Sequence, residues 1–158
     1  MAVVSVIAEG SVRAPARLVY ELIRDFREHH PRFLPPSFSD LEIEQGGIGA
    51  GTIITFTATA LGRERRYRLR VDEPTPGQVM TESDTLSDMV TTWTVTPEGD
   101  TSRVRIETEW AGAEGTAGFF ERLLVPLAMR RIYNEELRRL DRYAEAQASE
   151  QLVGSGRR

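Results

Sequence analysis

From Val3 to Val12 apolar and polar residues alternate loosely in a β-rich stretch, which predicts a first strand. Ala14-Pro15 then opens a helix, because proline at the first helical position lacks only an N–H that would go unpaired. Leu18, Leu22, Ile23 and Phe26 recur behind it at helical spacing. Asp25-Phe26-Arg27-Glu28 has the form of a capping box and predicts a second short helix after a bend, ended by Pro31, Pro35 and Pro36. Residues 32–36 are then expected to form a rigid, partly apolar loop.

Six more β-rich runs follow, near 41–44, 52–61, 65–71, 79–85, 89–96 and 103–110, with Gly- and Pro-containing turns between most of them. Their alternation assigns faces. Ile54, Phe56, Ala58 and Ala60 share one side of their strand, and Tyr67, Leu69 and Val71 oppose Arg66, Arg68 and Arg70. Met89, Thr91, Trp93 and Val95 are expected to face inward, as are Val104, Ile106, Thr108 and Trp110. The facing of the 79–85 run is ambiguous; in its less apolar register Glu82 and Asp84 point inward. Short strands joined by turns predict an antiparallel meander, here of seven strands with two helices after the first.

The chain closes on one long amphipathic pattern, about 116–147, with Phe120, Leu123, Leu124, Leu127, Tyr133, Leu137, Leu140 and Ala144 as its apolar stripe. Pro126 lies inside it and is expected to bend the axis. The part before the bend, with the loop at 33–38, is expected to gate a pocket. Residues 1–150 read as one domain and 151–158 as a disordered tail.

Composition narrows the function. Apolar residues make up 40% of the chain and charged residues 28%, with a net charge of −4 mixed along its length, so neither nucleic acid nor a polyacidic partner is expected. No apolar run approaches a membrane span, and the N-terminus lacks a charged leader region, so a cytoplasmic protein without stable membrane insertion is expected. There is no cysteine and no lysine; all 20 basic residues are arginine. Thiol chemistry, Schiff bases and lysine-dependent phosphate loops are excluded. The only histidines, His29 and His30, are adjacent, diverge on a helix and read as ordinary surface residues, so no metal and no cofactor are expected. Arg63, Arg65, Arg66, Arg68 and Arg70 read as a solvated basic ribbon paired with Glu107 and Glu109. The glycines from Gly46 to Gly51 read as a turn.

Strand, two short helices, six strands and a long C-terminal helix is the order of the α+β helix-grip fold. Ala14-Pro15 with Val19-Tyr20-Glu21-Leu22-Ile23, the loop Pro31-Arg32-Phe33-Leu34-Pro35, and Trp93 before a Pro-x-Gly turn resemble the START-like superfamily, also called SRPBCC, and within it the polyketide-cyclase/dehydrase and coenzyme-Q-binding branches. The resemblance implies a curved sheet gripping the last helix around an apolar cavity. The ligand contacts expected there are Phe33 on the loop, Phe56, Tyr67, Trp93, Thr108 and Trp110 on strands, and Phe120, Leu124, Leu127, Arg131 and Tyr133 on the helix. Arg131 is the candidate partner for a ligand carboxylate. Three functions remain open. The favoured one is binding or carriage of a hydrophobic small molecule, such as a lipid, isoprenoid quinone or polyketide, because the inferred inward faces are almost wholly apolar or threonine. The others are a cyclase or dehydratase using the same cavity, which needs polar groups converging deep inside, and a protein-interaction module. The molecule is expected to be a monomer or weak homodimer.

Overall fold

A computed structural model describes residues 3–112 and 115–155, the side chains of 115–123 and 155 excepted. The elements are β1 (Val3–Val12), α1 (Ala16–Arg24), α2 (His30–Phe33), β2 (Phe38–Gln45), β3 (Ile53–Ala60), β4 (Arg63–Thr75), β5 (Val79–Asp84), β6 (Val90–Glu98), β7 (Thr101–Ala111) and α3 (Gly115–Ser155). The strands make one antiparallel sheet in the order β1-β7-β6-β5-β4-β3-β2. Strands β2 to β7 thus form an unbroken meander, and β1 closes it by pairing with β7 from Val3↔Ala111 to Val12↔Ser102. This is the helix-grip arrangement.

Alternation sets the core. Val4, Val6, Ala8 and Val12 of β1, Val95 and Trp93 of β6, and Val104 and Ile106 of β7 are buried beneath α3, which contributes Tyr133, Leu137, Leu140 and Ala144. On β5 the buried residues are Met80, Glu82 and Asp84, so that strand adopts the less apolar register. Arg13, at the end of β1, ties α3 down through Asp141 at 3.0 Å and Glu145 at 2.7 Å.

Local chemistry places the short helices differently from the sequence expectation. α1 buries Val19, Tyr20, Leu22 and Ile23 and ends at Asp25, whose extended backbone bridges to Ile48. The Asp25 Oδ1 accepts hydrogen bonds from the Arg27 and Glu28 N–H groups, so the expected cap organises a turn rather than a helix. Pro31 starts α2 instead of ending it, because its missing N–H costs nothing in a first turn. Arg32 and Phe33, expected in a loop, are therefore helical.

α3 runs unbroken through Pro126 and on to Ser155, past Gln147 where the periodicity predicts its end. Residues 151–155 of the expected tail are thus helical. The expected gate spans Phe119 to Leu124; the side chains of 119–123 lie outside the described residues, and Leu124 is exposed. The basic ribbon pairs with nearer acids than expected: Arg66 with Glu42, Arg68 with Glu44, Arg70 with Asp72, and Arg65 with Asp84. Glu107 and Glu109 sit on β7, which β5 and β6 separate from β4; Glu107 pairs with Arg105 instead.

One polar brace fastens the glycine loop to the body. Glu73 accepts hydrogen bonds from Tyr20 Oη at 2.9 Å, Arg24 Nε at 2.9 Å and the Ala50 N–H at 2.9 Å. Gly49 lies against this pair at φ +66°, and a Cβ there would collide with the Arg24 guanidinium and the Glu73 carboxylate. Gly49→Ala is expected to cost about 2–3 kcal/mol, from a left-handed backbone and a displaced ion pair, read as a lower urea midpoint at unchanged slope.

Candidate functional site

The sheet and α3 enclose a cavity of about 150 Å³. Most of its wall is apolar. Ile54, Phe56, Ala58 and Ala60 come from β3, Tyr67 and Leu69 from β4, and Met89 and Trp93 flank or belong to β6. Phe56 and Tyr67 stack with centroids 5.6 Å apart, which presents flat aromatic surface. Phe26, Leu34, Phe38 and Leu41 close one side, and Val125, Met129 and Ile132 of α3 cover the top.

The inner end is polar. His30, Glu82 and Glu136 all line the cavity, at 3%, 8% and 2% exposure. α2 carries His30 in, between Phe26 and Phe33, whose ring centroids each lie 4.6 Å from the imidazole. The ring Nδ1 sits 2.6 Å from the Ile23 carbonyl. A carbonyl only accepts, so Nδ1 carries a hydrogen and Nε2 is turned to Glu136 Oε1, 3.5 Å away. Trp93 meets the imidazole in a T-shaped pair with centroids 5.5 Å apart. Its indole N–H is buried without a hydrogen-bond partner, yet close enough to Glu82 to favour that carboxylate's charge.

Burial dominates the electrostatics. It pushes Glu82 up from 4.5 to about 7, aided by the like charge of Glu136 and opposed by His30. Glu136 is also raised by burial, against the bond and charge of His30. Burial alone would lower His30, but the bond to Glu136 and the charges of Glu82 and Glu136 outweigh it, and the net shift is upward. Beside the cluster three hydroxyls form a chain, Thr91 to Thr108 at 2.7 Å and Thr108 to Tyr133 at 2.6 Å. Burial holds the Tyr133 phenol protonated well above its ordinary range.

Phe56, Tyr67, Trp93 and Tyr133 of the expected contacts line the cavity. Thr108 and Phe33 lie one layer behind, Thr108 bonded to Tyr133 and Phe33 packed at a tilt against His30. Trp110 is half-buried and is not part of the lining. Leu124 and Leu127 are 43% and 54% exposed, and Arg131 is exposed too. They fall off the inward face because that face follows Val125, Met129, Ile132 and Glu136, offset from the stripe inferred across Pro126. Arg131 is thereby removed as a carboxylate partner within the cavity, and the Phe120 side chain lies outside the described residues.

His30 corrects the surface reading of both histidines. Its signal was present: Phe26, His30 and Phe33 recur at helical spacing, a polar residue within an apolar series. Glu136 interrupts the α3 stripe in the same way. His29 is half-buried, with Nδ1 2.6 Å from the Tyr143 hydroxyl. With Asp25 and Glu28 it makes the one group among the described residues whose ligand atoms come within 4.8 Å of one another. Asp25 already accepts two backbone hydrogen bonds there, in a turn at the surface.

No helix among the described residues is long and apolar enough to cross a membrane. A comparison with curated proteins finds no match. Among solved structures, the KanY protein, determined by NMR, is 34% identical with a TM-score of 0.81, over 92% of this chain and 99% of that one. The Zhui aromatase/cyclase from a Streptomyces species shares the fold at 18% identity and a TM-score of 0.71, over 91% and 94% of the two chains. Norcoclaurine synthase from Thalictrum flavum, in complex with dopamine and hydroxybenzaldehyde, shares it at 20% identity and a TM-score of 0.67, over 89% and 86%. The sequence profile for polyketide cyclase/dehydrase and lipid transport matches residues 3–145. With that match spanning nearly the whole chain, and a cavity of the matching kind between sheet and helix, this protein belongs to the polyketide cyclase/dehydrase and lipid transport family and has its hydrophobic ligand-binding fold.

Proposed function

We propose that the protein binds a flat, largely apolar small molecule and moves protons on it, as a cyclase- or dehydratase-type enzyme rather than a passive carrier. The observation that carries this reading is the convergence of His30, Glu82 and Glu136 at the inner end of an otherwise apolar cavity. A carrier gains nothing from three buried ionisable groups, each of which costs folding free energy. Glu82 titrates near 7, where a general acid–base works best. As a carboxylate it takes a proton from carbon beside a ligand carbonyl, the C–H electron pair passes into the enolate, and the Tyr133 hydroxyl is placed among the cavity groups to donate to the developing charge. His30 faces Glu136 at 3.5 Å, and the pair holds the field at that end. The aromatic wall supplies orientation.

The test starts with native mass spectrometry of freshly purified protein, to find a co-purified molecule. Hydrogen–deuterium exchange on an aryl methyl ketone, acetonaphthone, is then followed by NMR in D₂O. Wild-type protein is expected to speed exchange of the methyl hydrogens, and Glu82→Gln to slow it by ~100-fold or more. A retained apolar ligand with no exchange by wild type would return the protein to the carrier reading.

A further inference from the structure

The chain carries 20 arginines, yet among the described side chains no arginine lines the cavity, and two glutamates do. Arg65 lies over the Tyr67 ring at 4.7 Å, but its guanidinium is already paired with Asp84 at 3.4 Å. Glu82 is 8% exposed and lines the cavity, where the Trp93 indole N–H is turned toward it. Several elements pack against it. α2 brings His30, and α3 brings Glu136 and Tyr133. β6 brings Thr91, its register partner, and Trp93; β4 brings the apolar Val71 as its other register partner. One cation therefore faces two carboxylates, and His30 is committed to Glu136. With all three ionised the inner end lacks one positive charge.

Resting on the reading that the cavity takes a flat apolar molecule, we propose that this molecule carries a protonated amine, held by Glu82 at the inner end of the cavity. An ammonium supplies further N–H donors and the missing charge, so its own loss of hydration is offset there. The rings of Phe56, Tyr67 and Trp93 in the same cavity offer negative faces to a cation. A carboxylate, sulfate or phosphate ligand would meet two acids and, among the described side chains, no free base. This excludes fatty acids and phosphorylated carriers as occupants of the inner end. The preference grows as pH rises through 7, because Glu82 then loses its proton.

Three probes built on one ring test the charge alone: naphthylethylamine, ethylnaphthalene and naphthylacetic acid, each used at pH 8 to displace Nile red from the intact protein. The amine is expected to bind at least ~10-fold more tightly than the hydrocarbon, with the acid weakest. Glu82→Gln is expected to bring the amine within ~3-fold of the hydrocarbon. Equal binding of amine and hydrocarbon by wild type, or an amine advantage that survives Glu82→Gln, overturns the amine assignment and leaves the apolar-ligand reading standing. An acid that binds as tightly as the amine does the same. If Nile red does not bind, or no probe displaces it, both fall together. The wild-type series decides on its own should the variant misfold.

Discussion

Replacing Glu82 by glutamine is expected to make the protein more stable at pH 8, even as it removes the proposed acid–base. The carboxyl titrates at 4.5 in an ordinary setting and at about 7 in the fold. The folded protein thus holds its proton more tightly than the unfolded chain does. Stability from this group is intact below 4.5, falls as pH rises through the interval, and is fully lost above 7. That displacement is worth roughly 3 kcal/mol, since each pH unit is worth about 1.4. Glutamine keeps the volume and removes the titration. At pH 8 the variant is expected to melt roughly 6–12 °C above wild type, and at pH 4 the two are expected to melt together. His30 and Glu136 are also raised, so they too lose stability as pH rises, and the variant keeps their alkaline decline. Equal melting at pH 8 would mean that Glu82 is not buried as an acid.

The opposite behaviour is expected at Glu73. The Arg24 bond holds this carboxyl down at about 2, helped by the Ala50 N–H and Tyr20 and opposed by burial. A depressed acid stabilises above its unfolded value of 4.5 and loses that contribution as pH falls toward 2. Glu73→Ala leaves Arg24 without its main partner and the Ala50 N–H unbonded, where the side chain was only 8% exposed. The expected cost is about 3–4 kcal/mol at pH 6, or a fall in melting temperature of roughly 6–15 °C. At pH 2 the difference from wild type is expected to shrink strongly, because the pH has then reached the folded value of Glu73 and half of the wild-type carboxyls are protonated. Circular-dichroism melts at the two pH values measure both. Together the two glutamates place maximum stability at mildly acidic pH.

The sequence carried the sheet well because a strand with one buried face must alternate. Each inward residue read from β3, β4, β6 and β7 follows from that parity, and so does the aromatic wall of the cavity. β5 was ambiguous because its buried face, Met80, Glu82 and Asp84, carries two charges, and hydrophobicity votes against it. The cavity roof was misplaced for a related reason. α3 is apolar on several sides around Pro126, so Leu124 and Leu127 competed with Val125 and Met129 for the same assignment, and only the packed sheet decides between them. The polar inner end was the least legible part. His30 and Glu136 are far apart in the chain, and their meeting depends on α2 folding under α3. A residue that breaks a local rule marks the place where function outweighed stability.

The two lateral borders of the sheet bear on how copies of this protein meet. A free border is a row of unpaired amide groups, a template onto which a neighbour's strand can dock. β1 forms one border, and the Arg130 guanidinium reaches across from α3 to its Ile7 carbonyl at 3.4 Å. β2 forms the other, and its pairing with β3 slips twice, between Ser39 and Glu42 and between Ile43 and Gln45. Asp40, between the first pair, has φ at +54°. A border that is kinked in this way cannot present a straight, continuous ladder to a second molecule. Concentrated solutions of this protein should therefore resist strand-to-strand polymerisation, and straightening β2 is the change that would put that resistance at risk.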